Sequence, residues 1–182
     1  MTILKTGENT ALSTNGLLRE VVVGLGWDVI KGNGPDTELV ASAIVCDKND
    51  KAVSPDHLIF FNQMQTPEGS IAYIEGDDEE QIEVNLIQVP AGVEKIFFIV
   101  YTDPDIRRPG NFGSVRSAYI RVAGRDNEDL VRYNLDRTGA SDFTAMIFGE
   151  LYRYKGNWKF RALGQGFKDG LAGVAKSFGV KV

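Results

Sequence analysis

Cysteine and histidine are almost absent from this chain, with one of each in 182 residues. A lone Cys46 excludes an intramolecular disulfide and a Cys-rich zinc centre. A lone His57 excludes any metal site that needs two imidazoles. Basic residues are also in deficit, 20 Lys and Arg against 25 Asp and Glu, for a net charge of −5. A general nucleic-acid binder needs the reverse balance, so nucleic acid is not an expected partner. No apolar run approaches the ~20 residues that cross a bilayer, which argues against direct membrane insertion. Met1 to Asn15 is polar and lacks the apolar stretch of a secretory signal, so the expected location is cytoplasmic. Walker A and G-x-S-x-G sequences are missing, as are internal repeats and low-complexity tracts. The expectation is one domain over 1–182, with residues 1–18, rich in Thr, Asn, Ser and Gly, as a loose arm.

What is present is a series of short apolar segments divided by turn residues. They run Val21 to Leu25, Leu39 to Cys46, Leu58 to Phe61, Ser70 to Ile74, Ile82 to Leu86 and Ile96 to Tyr101. Ser114 to Val122, Leu130 to Leu135, Ala145 to Tyr154 and Trp158 to Leu163 follow. Ile82, Val84 and Leu86 alternate with Glu83 and Asn85, and Val131, Tyr133 and Leu135 with Arg132 and Asn134. A period of two marks a strand with one buried and one solvated face. Ile96-Phe97-Phe98-Ile99-Val100 does not alternate, which predicts a central strand covered on both sides. Gly156-Asn157 predicts a two-residue hairpin. Turn residues, among them Asn33-Gly34-Pro35-Asp36, Pro104-Asp105 and Pro109-Gly110-Asn111, separate the other strands. Phe167, Leu171, Val174, Ala175 and Phe178 then fall on one helical face, and Gly179 stands where a helix ends. The expected fold is mainly β: a two-sheet antiparallel β-sandwich with a short C-terminal helix.

Few residues suit catalysis. His57 reads as a strand-edge histidine and Cys46 as a small buried hydrophobe. The Gly-rich stretch Gly164 to Gly170 before the helix could face an anion, but packing between strand and helix explains it equally well. The acids carry more information. Asp28 follows one strand, Asp36 and Glu38 precede the next, Asp77-Asp78-Glu79-Glu80 opens another, and Asp103 and Asp105 follow the central one. Calcium takes six to eight hard oxygen ligands, which sandwich loops at one end can gather. An EF-hand is excluded, because the twelfth position of a loop begun at Asp47 is Leu58.

Ordered motifs make the chain resemble the TerD family of bacterial tellurite-resistance and general stress proteins from about Leu18 onward. They include Gly24-Leu-Gly-Trp27-Asp28, Leu39-Val-Ala41-Ser42-Ala43, Phe60-Phe-Asn62-Gln63, Pro67-Glu-Gly69-Ser70 and Gly76-Asp-Asp78-Glu79. Phe112-Gly-Ser-Val115-Arg116-Ser-Ala118-Tyr119-Ile120-Arg121-Val122, Arg132-Tyr133-Asn-Leu135, Ala145 to Arg153, Trp158 to Ala162 and Gly170-Leu171-Ala172-Gly173 complete the set. The resemblance implies a β-sandwich that binds calcium in acidic loops and has a role in resistance to tellurite and other chemical or phage stress, with no settled enzymatic activity. The leading expectation is a calcium-binding stress-response module with no catalysis of its own. The partners it implies are other proteins of the tellurite-resistance and stress operons, a membrane protein among them. Carried over position by position, the implied calcium ligands are Asp28, Glu38, Asp77, Asp78 and Glu79.

The chain departs from that family where calcium matters. An Asp-Leu-Asp pattern is replaced by Glu38-Leu39-Val40, and the loop before Gly76 is shortened. One calcium site is therefore expected to survive and a second to be weakened or lost. The alternative is a metal-independent interaction module, with Arg116, Tyr119, Arg121, Tyr152, Arg153 and Tyr154 as a docking face or as ordinary cross-strand partners. An enzyme acting near Arg107-Arg108 or the Gly-rich turn ranks last, since nothing in the sequence pairs a nucleophile with a base.

Overall fold

A computed structural model describes residues 1–13, 17–32, 37–103, 110–135 and 142–180. Asp36, Asp105, Arg107 and Arg108 lie outside the described residues. All ten expected segments are strands, with shifted ends. In chain order they are β3 (Glu20–Val29), β4 (Leu39–Cys46), β5 (Leu58–Ile59), β6 (Ile71–Ile74) and β7 (Glu80–Asn85). Then come β8 (Lys95–Thr102), β9 (Val115–Gly124), β10 (Asp129–Asn134), β11 (Ala145–Tyr154) and β12 (Asn157–Phe167). Two more, β1 (Thr2–Leu4) and β2 (Asn9–Ala11), lie in the stretch expected to be a loose arm.

That expectation is corrected. β1 adds to one sheet beside β10 and β2 adds to the other beside β12, so the arm clips both sheets along one edge. Leu4 and Leu12 are buried in the core, and Thr6 Oγ1 lies 2.8 Å from the Tyr133 hydroxyl. Three-residue strands are too short to show a period of two, so composition dominated the reading.

The first sheet runs β1-β10-β9-β3-β7-β6 and the second β2-β12-β11-β8-β4-β5. Neighbours are antiparallel except β1 and β10, which are parallel. Between the sheets lies the main core, with Val23, Leu25, Ile82, Phe98, Val100, Ile120, Phe148 and Phe160 fully buried. β8 is the central strand its sequence predicts. Ile96, Phe98 and Val100 face this core, and Phe97, Ile99 and Tyr101 face a second cluster on the outer side.

The helix α1 (Gly170–Ser177) builds that second cluster. Val174, Ala175, Phe178 and Val180 pack on Ile44, Phe97, Ile99 and Ile147, and the Phe97 and Phe178 ring centres are 4.6 Å apart. The helix is shorter than its periodicity suggested, because Phe167 ends β12. Its end follows the sequence: Gly179 has φ +78°, Gly179 N–H donates to Lys176 O and Val180 N–H to Ala175 O. This is a Schellman closure, and glycine removes its steric cost. The β11–β12 hairpin also forms, but its turn residues are Lys155 and Gly156, both at positive φ, one residue earlier than expected. No helix among the described residues is long and apolar enough to cross a membrane.

Candidate functional site

The outer face of the first sheet carries a built polar cluster. Side chains alternate along β3, so Gly24, Gly26 and Asp28 share that face. A Cβ on Gly24 would overlap the Asp78 carboxylate, and one on Gly26 would overlap the Tyr119 ring. The two glycines leave a trench in which Asp78, from the turn before β7, reaches across β3 to β9. Arg121 Nε donates to both Asp78 oxygens at 3.1 Å, and its Nη2 donates to Oδ2 at 2.8 Å. Gln81 Nε2 donates to Oδ2 at 2.7 Å, and the Tyr119 hydroxyl donates to Oδ1. Arg121 also donates to Asp129 Oδ1 at 2.6 Å and to Asn127 Oδ1 at 3.2 Å. Arg132 stacks over the Tyr119 ring at 4.0 Å.

The side chains of Asp78 and Arg121 are 5% and 10% exposed, so this pair is shielded from water. Burial by itself would raise the Asp78 carboxyl. Hydrogen bonds from Arg121, Tyr119 and Gln81, with the guanidinium charge, outweigh it and hold the group below the usual carboxylate range. Tyr119 is pushed up to about 12 by burial and by its bond to the Asp78 anion. Bonding to Asp78 likewise raises Arg121.

The five implied calcium ligands are brought to one end of the sandwich. Asp28 is the penultimate residue of β3, beside the start of β9, while β7 begins after Glu79 and β4 begins after Glu38. The Asp103 N–H donates to Glu38 O within the second sheet, and Phe112 N–H, ahead of β9, donates to Phe143 O, ahead of β11, which ties the two sheets together at that end. Their side chains do not converge. Asp28 is exposed and pairs with Arg116 at 2.9 Å. Asp78 faces Arg121, while Glu38, Asp77 and Glu79 face solvent. Among the described residues no three His, Cys, Asp or Glu side chains are grouped to hold a metal. As placed, this donor set does not fit a cation that needs six or more oxygens.

Arg121, Tyr119 and the two glycines therefore matter more than a reading of the acids alone would indicate. A basic residue two positions after a tyrosine on one strand face, beside Gly-x-Gly, was the available signal.

Residues with catalytic potential are placed otherwise. Cys46 is fully buried, and burial pushes its thiol up to about 12. His57 ends a short 3-10 turn, Pro55–His57, directly before β5. Its Nδ1 lies 2.7 Å from Ser54 Oγ and its Nε2 3.0 Å from Glu68 Oε2. A serine, a histidine and a carboxylate thus line up. However, the Ser54 hydroxyl caps the turn by accepting from Asp56 N–H. The next residue is Pro55, which has no N–H to offer an oxyanion. At the start of α1, the Gly170 N–H donates to Thr144 Oγ1, and a Cβ on Gly166 would overlap the Phe143 ring. Packing accounts for that Gly-rich stretch.

The TerD domain family model matches residues 1–178. The chain belongs to the TerD family. It is 42% identical to general stress protein 16U of Bacillus subtilis (strain 168) over 197 residues, covering 100% of both chains. Tellurium resistance protein TerD of Serratia marcescens is 39% identical over 186 residues, with 97% of this chain and 96% of the relative covered. A crystal structure of a Streptomyces coelicolor A3(2) homologue of telluride resistance protein (TerD) superposes with a TM-score of 0.67 at 20% identity. That match covers 91% of this chain and 99% of the other, and it shows the shared fold. TerD relatives are named for tellurium resistance and general stress, which supports a stress-response role for this chain.

Proposed function

We propose that this TerD-family protein is a non-catalytic stress-response module that works in the cytoplasm by binding partner proteins, and that its acidic turn needs no metal to hold its shape. The partners in this reading are other proteins of the tellurite and stress-resistance systems, one of them at the membrane. The observation that carries it is the Asp78 carboxylate. An internal guanidinium, a tyrosine hydroxyl and a glutamine amide already supply the counter-charge and hydrogen bonds that a cation would bring. The burial of Cys46 and the use of Ser54 as a cap support the absence of catalysis.

A second reading, calcium binding, is favoured by one specific feature. Asp28, Glu38, Asp77 and Glu79 stand at the same end of the sandwich, and the last three have no ion pair among the described residues. Calcium there would require the loops to rearrange.

One experiment separates the two: the thermal midpoint in chelator and across a calcium titration, with magnesium as control. A ligand that binds only the folded state adds about 2.7 kcal/mol at a hundredfold excess over Kd. The metal-independent reading expects a flat response and the same partners recovered with and without chelator. A calcium-specific rise, abolished by Asp77→Asn with Glu79→Gln, overturns it in favour of calcium.

A further inference from the structure

The helix α1 covers the outer face of the second sheet only as far as Phe97 and leaves the β11–β12 hairpin open. There the exposed Tyr154 and the Tyr152 ring, itself buried beneath its neighbours, carry a set of cations. Arg161 stacks over Tyr152 at 4.8 Å. Lys159 lies 5.9 Å from the Tyr152 ring and 5.1 Å from the Tyr154 ring, and Lys155 is 5.3 Å from Tyr154. Cross-strand pairing places Lys159 opposite Tyr152 and Arg161 opposite Glu150. The only carboxylate among these residues, Glu150, is buried and 3.3 Å from Arg161. Lys155 and Lys159 have no acidic partner among the described residues. A strip of aromatic-backed positive charge thus stands on a protein whose net charge is −5.

The complementary surface is in the same chain. Glu75, Asp77 and Glu79 are exposed on the turn before β7, with no cation partner among the described residues. The inward anchor of Asp78 on Arg121 and Tyr119 holds this turn, and Asp77 and Glu79 flank the anchor on the outside. The two surfaces cannot meet within one molecule. The strip lies on the second sheet at the hairpin end. The turn lies by the first sheet at the opposite end, where β3 and β8 finish and β7 and β11 begin. We propose that the Lys155–Lys159–Arg161 strip of one copy docks the Glu75–Glu79 turn of a second copy, head to tail. Such a contact is heterologous, so it builds open chains rather than a closed dimer unless the rotation closes a ring. Stacking on tyrosine and anchoring by Asp78 pre-order both surfaces, which reduces the ordering cost of association. This inference stands apart from the partner-binding reading: a protein that stays monomeric can still bind other proteins.

Sedimentation velocity of the full chain tests it across concentration at low salt and at about 0.5 M salt, where the Debye length is a few ångström. The expected result is growth beyond dimer at low salt that disappears at high salt. Lys155→Glu with Lys159→Glu makes one variant, and Asp77→Lys with Glu79→Lys makes another. Each is expected to weaken self-association by about tenfold or more. All four positions are exposed or half-exposed, and an unchanged circular dichroism spectrum checks that each variant folds. Mixed, the two variants carry complementary surfaces again and are expected to assemble with each other. A monomer at every concentration overturns the proposal. So does self-association that ignores both variants, or variants that fail to assemble when mixed.

Discussion

The two outer faces of the sandwich are finished by different physics. The second sheet is covered over its central part by α1, whose Val174, Ala175 and Phe178 exclude water from Phe97 and Ile99. The first sheet is covered by side chains: Asp78 and Tyr119 lie in the trench over Gly24 and Gly26, Asp78 gripped by Arg121 and Tyr119 bonded to Asp78. An apolar cap is stabilised by area removed from water and tolerates small shifts. A shielded ion pair is different, because the desolvation of each partner is offset only while the other is present. The first face should therefore fail abruptly when one partner is removed, and the second should fail in proportion to the volume lost.

Arg121→Ala breaks the comparison most directly. It leaves the Asp78 charge shielded and unpaired, and a loss of about 3–5 kcal/mol is expected in chemical denaturation. Replacing Asp78 and Arg121 together by apolar residues should cost much less than Arg121→Ala alone. If the double replacement costs as much, the pair is not the unit that matters.

Phe178→Ala tests the other face. Loss of the ring that packs 4.6 Å from Phe97 should cost about 3 kcal/mol, read as a lower denaturation midpoint with the first face unaffected. Additivity with Arg121→Ala within about 0.5 kcal/mol would show the two faces to be independent.

Gly24→Ala sharpens the account of the trench. Its Cβ meets the Asp78 carboxylate, so a cost of about 1–3 kcal/mol is expected from overpacking. In an Asp78→Ala background that cost should largely vanish. A cost that persists would place the constraint in the strand backbone instead.

Acid separates the faces by sign. Asp78 has a depressed carboxyl, so its contribution is complete above about pH 4, its unfolded value, and is lost as pH falls through the folded value. Glu150, on the second sheet, is raised by burial, with Lys95 and Arg161 offsetting part of the effect. Its ionised form therefore costs stability at neutral pH, and protonation relieves that cost as pH falls through its raised value toward the unfolded one. Asp78→Asn should flatten the low-pH loss, and Glu150→Gln should give a small gain at neutral pH that fades in acid. Denaturation midpoints between about pH 3 and pH 7 check both.

Much of the fold was legible because its signals are local. Ile82, Val84 and Leu86 needed only a period of two, β8 only its unbroken apolar run, and the helix end only Gly179. The hairpin turn was displaced by one residue because Lys155, not Asn157, takes the left-handed conformation beside Gly156. Phe167 fits the helical period yet ends a strand, since a residue one turn before a helix can match its spacing by chance. β1 and β2 were hidden because their stability comes from the sheets they join rather than from their own pattern.

The candidate site divides along the same line. Composition and order alone determined an acidic sandwich of the TerD family, with four consecutive carboxylates in front of one strand. Nothing in that run distinguishes Asp78 from Asp77 or Glu79, since all are acids in one turn. Only the tertiary structure decided that Asp78 turns inward, because Arg121 stands two strands away and 43 residues later in the chain, across a path that Gly24 leaves clear. The pairing of charges depends on distance in space, and chain order does not encode that distance until the sheets are assembled.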